Sequence, residues 1–129
     1  MKKPTTEQIR AAHAWKSAMQ AKERLERGDT KDGFNDYINA AKGMPALIMN
    51  SGLMQVMAYN QGKKEERYDF LSDHLRDWLH QMHQTPLGFT DFMQHLLNAE
   101  PREFQAITAE AMAWLKWLRQ MAPALAKEI

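Results

Sequence analysis

Five histidines stand in this chain, and histidine is both the commonest metal ligand and the usual proton carrier near neutral pH. His80 and His83 fall one helical turn apart, and His74 lies roughly two turns earlier. A zinc or di-iron centre needs more than that. There is no His-Glu-x-x-His, and no Glu-x-x-His that a partner helix could contribute. Histidine close to a helix C-terminus is favoured by the helix dipole, and that reading needs no metal and no cofactor. The carboxylates Glu65, Glu66, Asp73 and Asp77 could do general acid–base work only if shielded. Lys64, Arg67 and Arg76 beside them make ordinary surface ion pairs instead. There is no Gly-rich phosphate loop, no Gly-x-Ser-x-Gly and no cysteine, so thiolate chemistry and disulfides are excluded. No enzyme is expected.

A different pattern carries charge. Arg10, His13, Ser17, Gln20, Arg24 and Arg27 step by 3, 4, 3, 4 and 3, which sets them on one helix face without an acid. Such a stripe can follow a phosphate backbone, although a solvated helix face looks the same. Lys63, Lys64 and Arg67 form a second cluster, diluted by Glu65 and Glu66. The whole chain is nearly neutral at +1, with 17 basic and 16 acidic residues. Residues 1–31 hold eight Lys/Arg against four Asp/Glu, net +4, and leave the remainder at −3.

The elements that must position these groups are helices. At 129 residues, 44% hydrophobic and 26% charged, residues 1–129 read as one globular domain. No run approaches the ~18 apolar residues of a membrane span, and the charged start has no secretory core, so the expected setting is cytoplasmic with no membrane partner. Thr5 and Gln8 have capping-box spacing, opening a helix that runs to Gly28 with Trp15, Ala18, Met19, Lys22 and Leu25 along its seam. A connector from Gly28 to Asp32 leads to a second helix over 33–43, with Phe34, Tyr37, Ile38 and Ala41 on one side. Pro45 suits a first turn or a kink, and Asn50-Ser51-Gly52 suits a break before a short helix ending at Gly62. Residues 44–59 are apolar nearly all round and should form the buried centre. Over 64–83, Tyr68, Leu71, Leu75, Trp78, Leu79 and Met82 share one face. Pro86 and Gly88 stop that helix, and Thr90 can cap a short one carrying Phe92, Met93, Leu96 and Leu97. Pro101 fits a first helical position before a last long seam: Phe104, Thr108, Ala111, Leu115, Leu118, Ala122 and Leu125, with Pro123 kinking or fraying the end. Nothing alternates with period two. The fold class is all-α, a single-domain bundle of about six helices. Trp15, Trp78 and Trp114 belong in its core, and Trp117 suits either core or a partner surface.

One stretch is similar to a known signature. Met44-Pro45-Ala46-Leu47-Ile48-Met49-Asn50-Ser51-Gly52-Leu53-Met54-Gln55-Val56-Met57-Ala58-Tyr59 resembles the Leu-Pro-x-Leu-Ile-x-x-Asn-Gly-Leu-x-Gln-x-x-Ala-Phe-like pattern of the small α-helical subunit of type III-B (Cmr) CRISPR effector complexes. It departs by Met44 for the usual leucine and by Ser51 between Asn50 and Gly52. Tyr68-Asp69-Phe70-Leu71 through Trp78-Leu79 is similar to that family's long helix, and Thr108 through Arg119 to its Thr-x-Glu-Ala-x-x-x-Leu-x-Trp-Leu-x-Arg-like end. The resemblance implies a non-catalytic antiviral-defence subunit. Copies stack as a minor filament beside the backbone subunits that hold CRISPR RNA, lining the channel where guide and target RNA pair. Ribonuclease activity then belongs to the backbone subunits. Pro45, Asn50 and Gly52 would shape a kinked centre, with Leu47, Ile48, Leu53, Met57, Trp114 and Leu118 packed on it. Stacking would use two different surfaces, sought on the last helix, at Trp117, and at the 83–92 loop. RNA contact at Arg10, His13, Arg24, Arg27, Lys63, Lys64 or Arg67 would be to backbone, since guide pairing supplies sequence. Two rivals are a helical DNA-binding regulator and a metal-dependent helical enzyme using His74, His80 and His83. The turn at Asn50–Gly52 is flanked by apolar helices, which counts against a basic recognition helix.

Overall fold

The computed structural model describes residues 2–26 and 33–127. The expected connector from Gly28 to Asp32, the helix stop at Gly28 and the side chain of Arg27 lie outside the described residues. Among those described, six α-helices and no strand are present: α1 (Thr6–Glu26), α2 (Gly33–Ser51), α3 (Leu53–Gly62), α4 (Glu66–His83), α5 (Phe89–Asn98) and α6 (Pro101–Ala126). The long C-terminal helix α6 packs against α1, α2 and α4, while α3 rests on α2, α4 and α5.

The capping box at the start of α1 is formed. The Thr5 backbone N–H donates to Gln8 Oε1 at 2.7 Å, and the Gln8 N–H donates to Thr5 Oγ1 at 3.0 Å. The seam of α1 is not the expected one. Ala14, Ser17, Ala18, Ala21 and Leu25 are buried, whereas Trp15 and Met19 remain 39% and 49% exposed. Small side chains let α1 lie close along α6, and the large apolar residues fall one step round the helix, on its outer flank. Trp15 is therefore not core.

Helix α2 does not stop at residue 43; it runs through Gly43 and Pro45 to Ser51. Phe34, Tyr37, Ile38, Ala41, Met44 and Ile48 are buried on one continuous face. That packing carries the helix across two residues of poor propensity, as tertiary context often does. The break comes at Gly52, whose φ of +86° and ψ of 158° suit glycine alone. The centre is also less buried than its composition suggests. Ile48, Leu53 and Met57 are interior, but Leu47, Met49 and Tyr59 are 46%, 77% and 51% exposed. Leu47 thus faces outward, contrary to expectation, because a helix at the edge of a bundle buries only one side.

The remaining seams follow the sequence pattern. Leu71, Leu75, Trp78 and Leu79 of α4 meet Ala111, Leu115, Leu118 and Ala122 of α6 in a single core with Leu53 and Trp114. Helix α4 closes on Gln84 in the left-handed conformation, with the Gln84 N–H on the His80 carbonyl at 2.9 Å. Helix α5 begins at Phe89 after Gly88, so Thr90 is inside it and not its cap. Pro101 occupies the first turn of α6, which continues past Pro123 to Ala126.

Candidate nucleic-acid interface and assembly surfaces

The basic stripe of α1 turns toward the bundle. The Arg10 guanidinium donates through Nε to Glu110 Oε2 at 2.6 Å and through Nη2 to Oε1 at 2.8 Å. The same carboxylate accepts the indole N–H of Trp78 at 3.1 Å. This bidentate pair is largely enclosed, with side-chain exposures of 20% and 11%. The hydrogen bond to Glu110 raises the Arg10 pKa. Burial pushes the Glu110 carboxyl up, but the Arg10 and Trp78 hydrogen bonds outweigh it and hold the group below its ordinary value.

His13 is likewise engaged. Trp114 Nε1–H donates to His13 Nδ1 at 2.9 Å, and an indole nitrogen can only donate. The proton of the neutral ring therefore sits on Nε2, which donates to Asp77 Oδ2 at 2.7 Å. Burial lowers the His13 pKa against the pull of Asp77. The ring sits between two indoles, 5.0 Å from Trp78 and 5.7 Å from Trp114. Ser17, the next member of the stripe, is buried. Arg10 and His13 are thus parts of an inter-helix network, not a free cationic face. Only the far end is open: Gln20 is exposed, and so is Arg24, whose guanidinium lies 5.8 Å over Phe70. Local spacing could not reveal this, because the acids come from α4 and α6.

Two of the three histidines of α4, His74 and His80, serve structure as well. His74 Nδ1 shares a hydrogen bond of 3.0 Å with the Tyr37 hydroxyl, and burial lowers the His74 pKa to about 4. His80 Nδ1 lies 2.8 Å from the Thr85 carbonyl at the helix end. Among the described residues, no three His, Asp or Glu side chains gather so as to hold a metal ion. Asp73 pairs with Arg76, whose Nε donates to the Leu87 carbonyl at 2.9 Å.

The second basic cluster is outward. Lys64 is exposed, and Lys63 and Arg67 are half-buried. Arg67 is shared between Glu65 at 2.6 Å and Asp36 at 3.4 Å. Two tyrosines that read in the sequence only as members of apolar segments stand beside it. Lys63 Nζ lies 5.0 Å over the Tyr59 ring, and Arg67 Cζ 5.0 Å over the Tyr68 ring. The rings meet edge to face at 6.1 Å. Of the residues expected to be structural, Leu53 and Trp114 are fully buried, Pro45 is half-buried inside α2, Gly52 half-buried at the α2–α3 elbow, and Asn50 exposed. Trp117 is half-buried against the core. The broadly exposed apolar side chains are others, Leu87 in the loop before α5 and Leu97 on α5 among them.

These features define a small all-α bundle whose interior polar groups join helices and whose outer surface offers apolar and cationic side chains. Residues 6–125 match the family model of the CRISPR-associated protein (Cas_Cmr5). The CRISPR system Cmr subunit Cmr5 of Thermus thermophilus is 25% identical over 114 residues, covering 86% of this chain and 93% of that protein. A crystal structure of a CRISPR-associated Cmr5 family protein, also from Thermus thermophilus, has the same fold, with a TM-score of 0.75 at 22% identity over 97% of this chain and 100% of the other. The chain belongs to the Cmr5 family, the small α-helical subunit of type III-B (Cmr) CRISPR complexes.

Proposed function

We propose that this chain is the non-catalytic small subunit of a type III-B effector ribonucleoprotein in antiviral defence. Copies of it stack into a minor filament that supports assembly and meets the backbone of guide and target RNA. Its partners are the other Cmr subunits, further copies of itself, CRISPR RNA and target RNA, in the cytoplasm. The observation that carries this reading is the family match over residues 6–125. The surface agrees in kind: a filament needs exposed apolar side chains at more than one place, and Trp15, Met19, Leu87 and Leu97 supply them on α1, the loop before α5, and α5 itself. The half-exposed edge of Trp117 belongs to the stacking surface in this reading. RNA contact falls to Lys63, Lys64 and Arg24, because Arg10 and His13 are already held by Glu110 and Asp77.

Reconstitution with the other complex subunits tests it. The tagged chain should co-purify with backbone subunits and RNA, and elution of the chain alone would refute the assembly role. Changing Lys63 and Lys64 together to Gln should lower the slope of log affinity against log salt by roughly 1.4, at about 0.7 per single-strand phosphate contact. An unchanged slope would move the backbone contacts elsewhere.

A further inference from the structure

The elbow between α2 and α3 opens a groove of about 370 Å³ lined by Leu47, Ser51, Gln55, Val56, Tyr59 and Tyr68. That size falls within the range of small-ligand sites, roughly 300–1,000 Å³. Its composition is uneven in an informative way. Leu47 and Val56 give apolar contact, Gln55 brings an amide with both donor and acceptor, and Ser51 brings a hydroxyl. Tyr59 is 51% exposed despite its large apolar ring. Each tyrosine has a cation on its face, Lys63 on Tyr59 and Arg67 on Tyr68.

We propose that this groove binds one unpaired ribonucleotide, its base stacked on the exposed Tyr59 ring, which Tyr68 braces edge to face, and its phosphate met by Lys63 and Lys64. The inference rests on the reading that the chain meets RNA, and it adds a base contact to the backbone contacts. Charge decides the occupant. An apolar helix laid over the tyrosines would strip water from the Lys63 ammonium without offering an anion, which is costly. A nucleotide satisfies both halves of the surface, because every base has a flat face and every link a negative charge. Arg67 is already neutralised by Glu65 and Asp36, so it walls the Tyr68 side and leaves Lys63 and Lys64 as the phosphate partners. Gln55 and Ser51 then face the base edge. A base held in a duplex cannot enter, so the site distinguishes single-stranded from paired RNA.

Fluorescence anisotropy with the full chain tests this, using single-stranded oligouridine and a blunt RNA duplex of equal phosphate count. Tyr59→Leu keeps an apolar side chain at a half-exposed position and should leave the thermal melt unchanged. It should weaken oligouridine binding about five- to a hundredfold, the usual worth of a stacked base, and leave duplex binding as it was. Changing Lys63 and Lys64 to Gln should weaken both. Tyr68→Leu is the second variant and should repeat the Tyr59→Leu pattern. If Tyr59→Leu affects neither RNA, or both equally, the stacking site is overturned while the backbone reading stands. If the lysine changes also affect neither, the backbone reading fails with it. Absence of oligouridine binding by the wild-type chain at low salt overturns the site, as does protection of Tyr59 by the other complex subunits without RNA.

Discussion

Glu110→Ala removes the acceptor that three hydrogen bonds converge on, two from Arg10 and one from Trp78. Breaking an enclosed ion pair by deleting one partner costs about 3–5 kcal/mol when both are fully buried. Arg10 keeps 20% of its side chain in solvent, which reduces that share to about 1.5–3 kcal/mol. The Trp78 indole N–H is left in a fully buried ring without a partner, adding about 1–3 kcal/mol. The expected loss is therefore about 2.5–6 kcal/mol. Urea unfolding followed by tryptophan fluorescence should show it as a fall in midpoint of about 1–3 M. Glu110→Gln keeps one oxygen for Trp78 and Arg10 Nε but loses the charge and turns an amide N–H toward Arg10 Nη2, so about 1.5–3 kcal/mol is expected. Replacing Arg10 and Glu110 together by Met should restore the ion-pair share of the alanine loss, since both charges then vanish from the interior, and leave the share of the unpaired Trp78 N–H. The sign with pH follows from the lowered Glu110 pKa: the contribution is complete above the ordinary carboxylate range and disappears as pH falls through the depressed value. A loss below about 1 kcal/mol for Glu110→Ala, or equal losses for Ala and Gln, would refute the argument and make the pair an ordinary surface contact.

His74, ordinarily near 6.5, titrates at about 4 in the fold, so the unfolded chain takes its proton first and stability should fall by up to about 3 kcal/mol as pH drops between those values. Chemical denaturation across that range should show the fall, and changing both Tyr37 and His74 to Phe should reduce it, leaving the part from His13, whose pKa burial also lowers. Gly52→Ala should cost about 1–3 kcal/mol from backbone conformation alone, since no atom lies within 4 Å of the added methyl. Gly43→Ala, inside α2 and equally unobstructed, should instead stabilise by about 0.5–1 kcal/mol in the same thermal melts. Leu53→Ala should cost about 2–5 kcal/mol because the side chain is fully buried; a loss under about 0.5 kcal/mol would place Leu53 outside the core.

The long seams were legible because large apolar residues at 3.6-residue spacing leave few alternatives, as on α4 and α6. The start of α1 was legible because its capping box is purely local. Its buried face was not. Ala14, Ala18 and Ala21 give a weak hydrophobic signal, and Trp15 and Met19, one step away, give a strong one that points outward. The stripe from Arg10 to Arg24 looked like a solvent face since Glu110 and Asp77 are supplied by other helices. Residue 43 looked like a boundary because glycine and proline count locally, whereas the face from Phe34 to Ile48 is held by α4 and α6. Tyr59 and Tyr68 read as members of apolar faces because a ring's exposure depends on where the neighbouring helix ends, which periodicity does not encode. The family signature led to the family without showing which of its residues face outward, Leu47, Ser51, Gln55 and Tyr59 among them.

Pairing α1 with α6 has a consequence for the order of events during synthesis. Arg10 and Glu110 are separated by 100 residues, His13 and Trp114 by 101, and Lys22 and the Leu125 carbonyl it bonds by 103. At a translation rate of about 5–20 residues per second, α1 waits roughly 5–20 s after leaving the ribosome before α6 exists to receive it. Through that interval Arg10 has no carboxylate and the alanine seam has no opposing helix. Until then α1 can pack only on α2 and α4, and its main partner is supplied when α6 is released. A nascent chain stalled before residue 110 should therefore be digested within α1 by a protease that spares the finished protein.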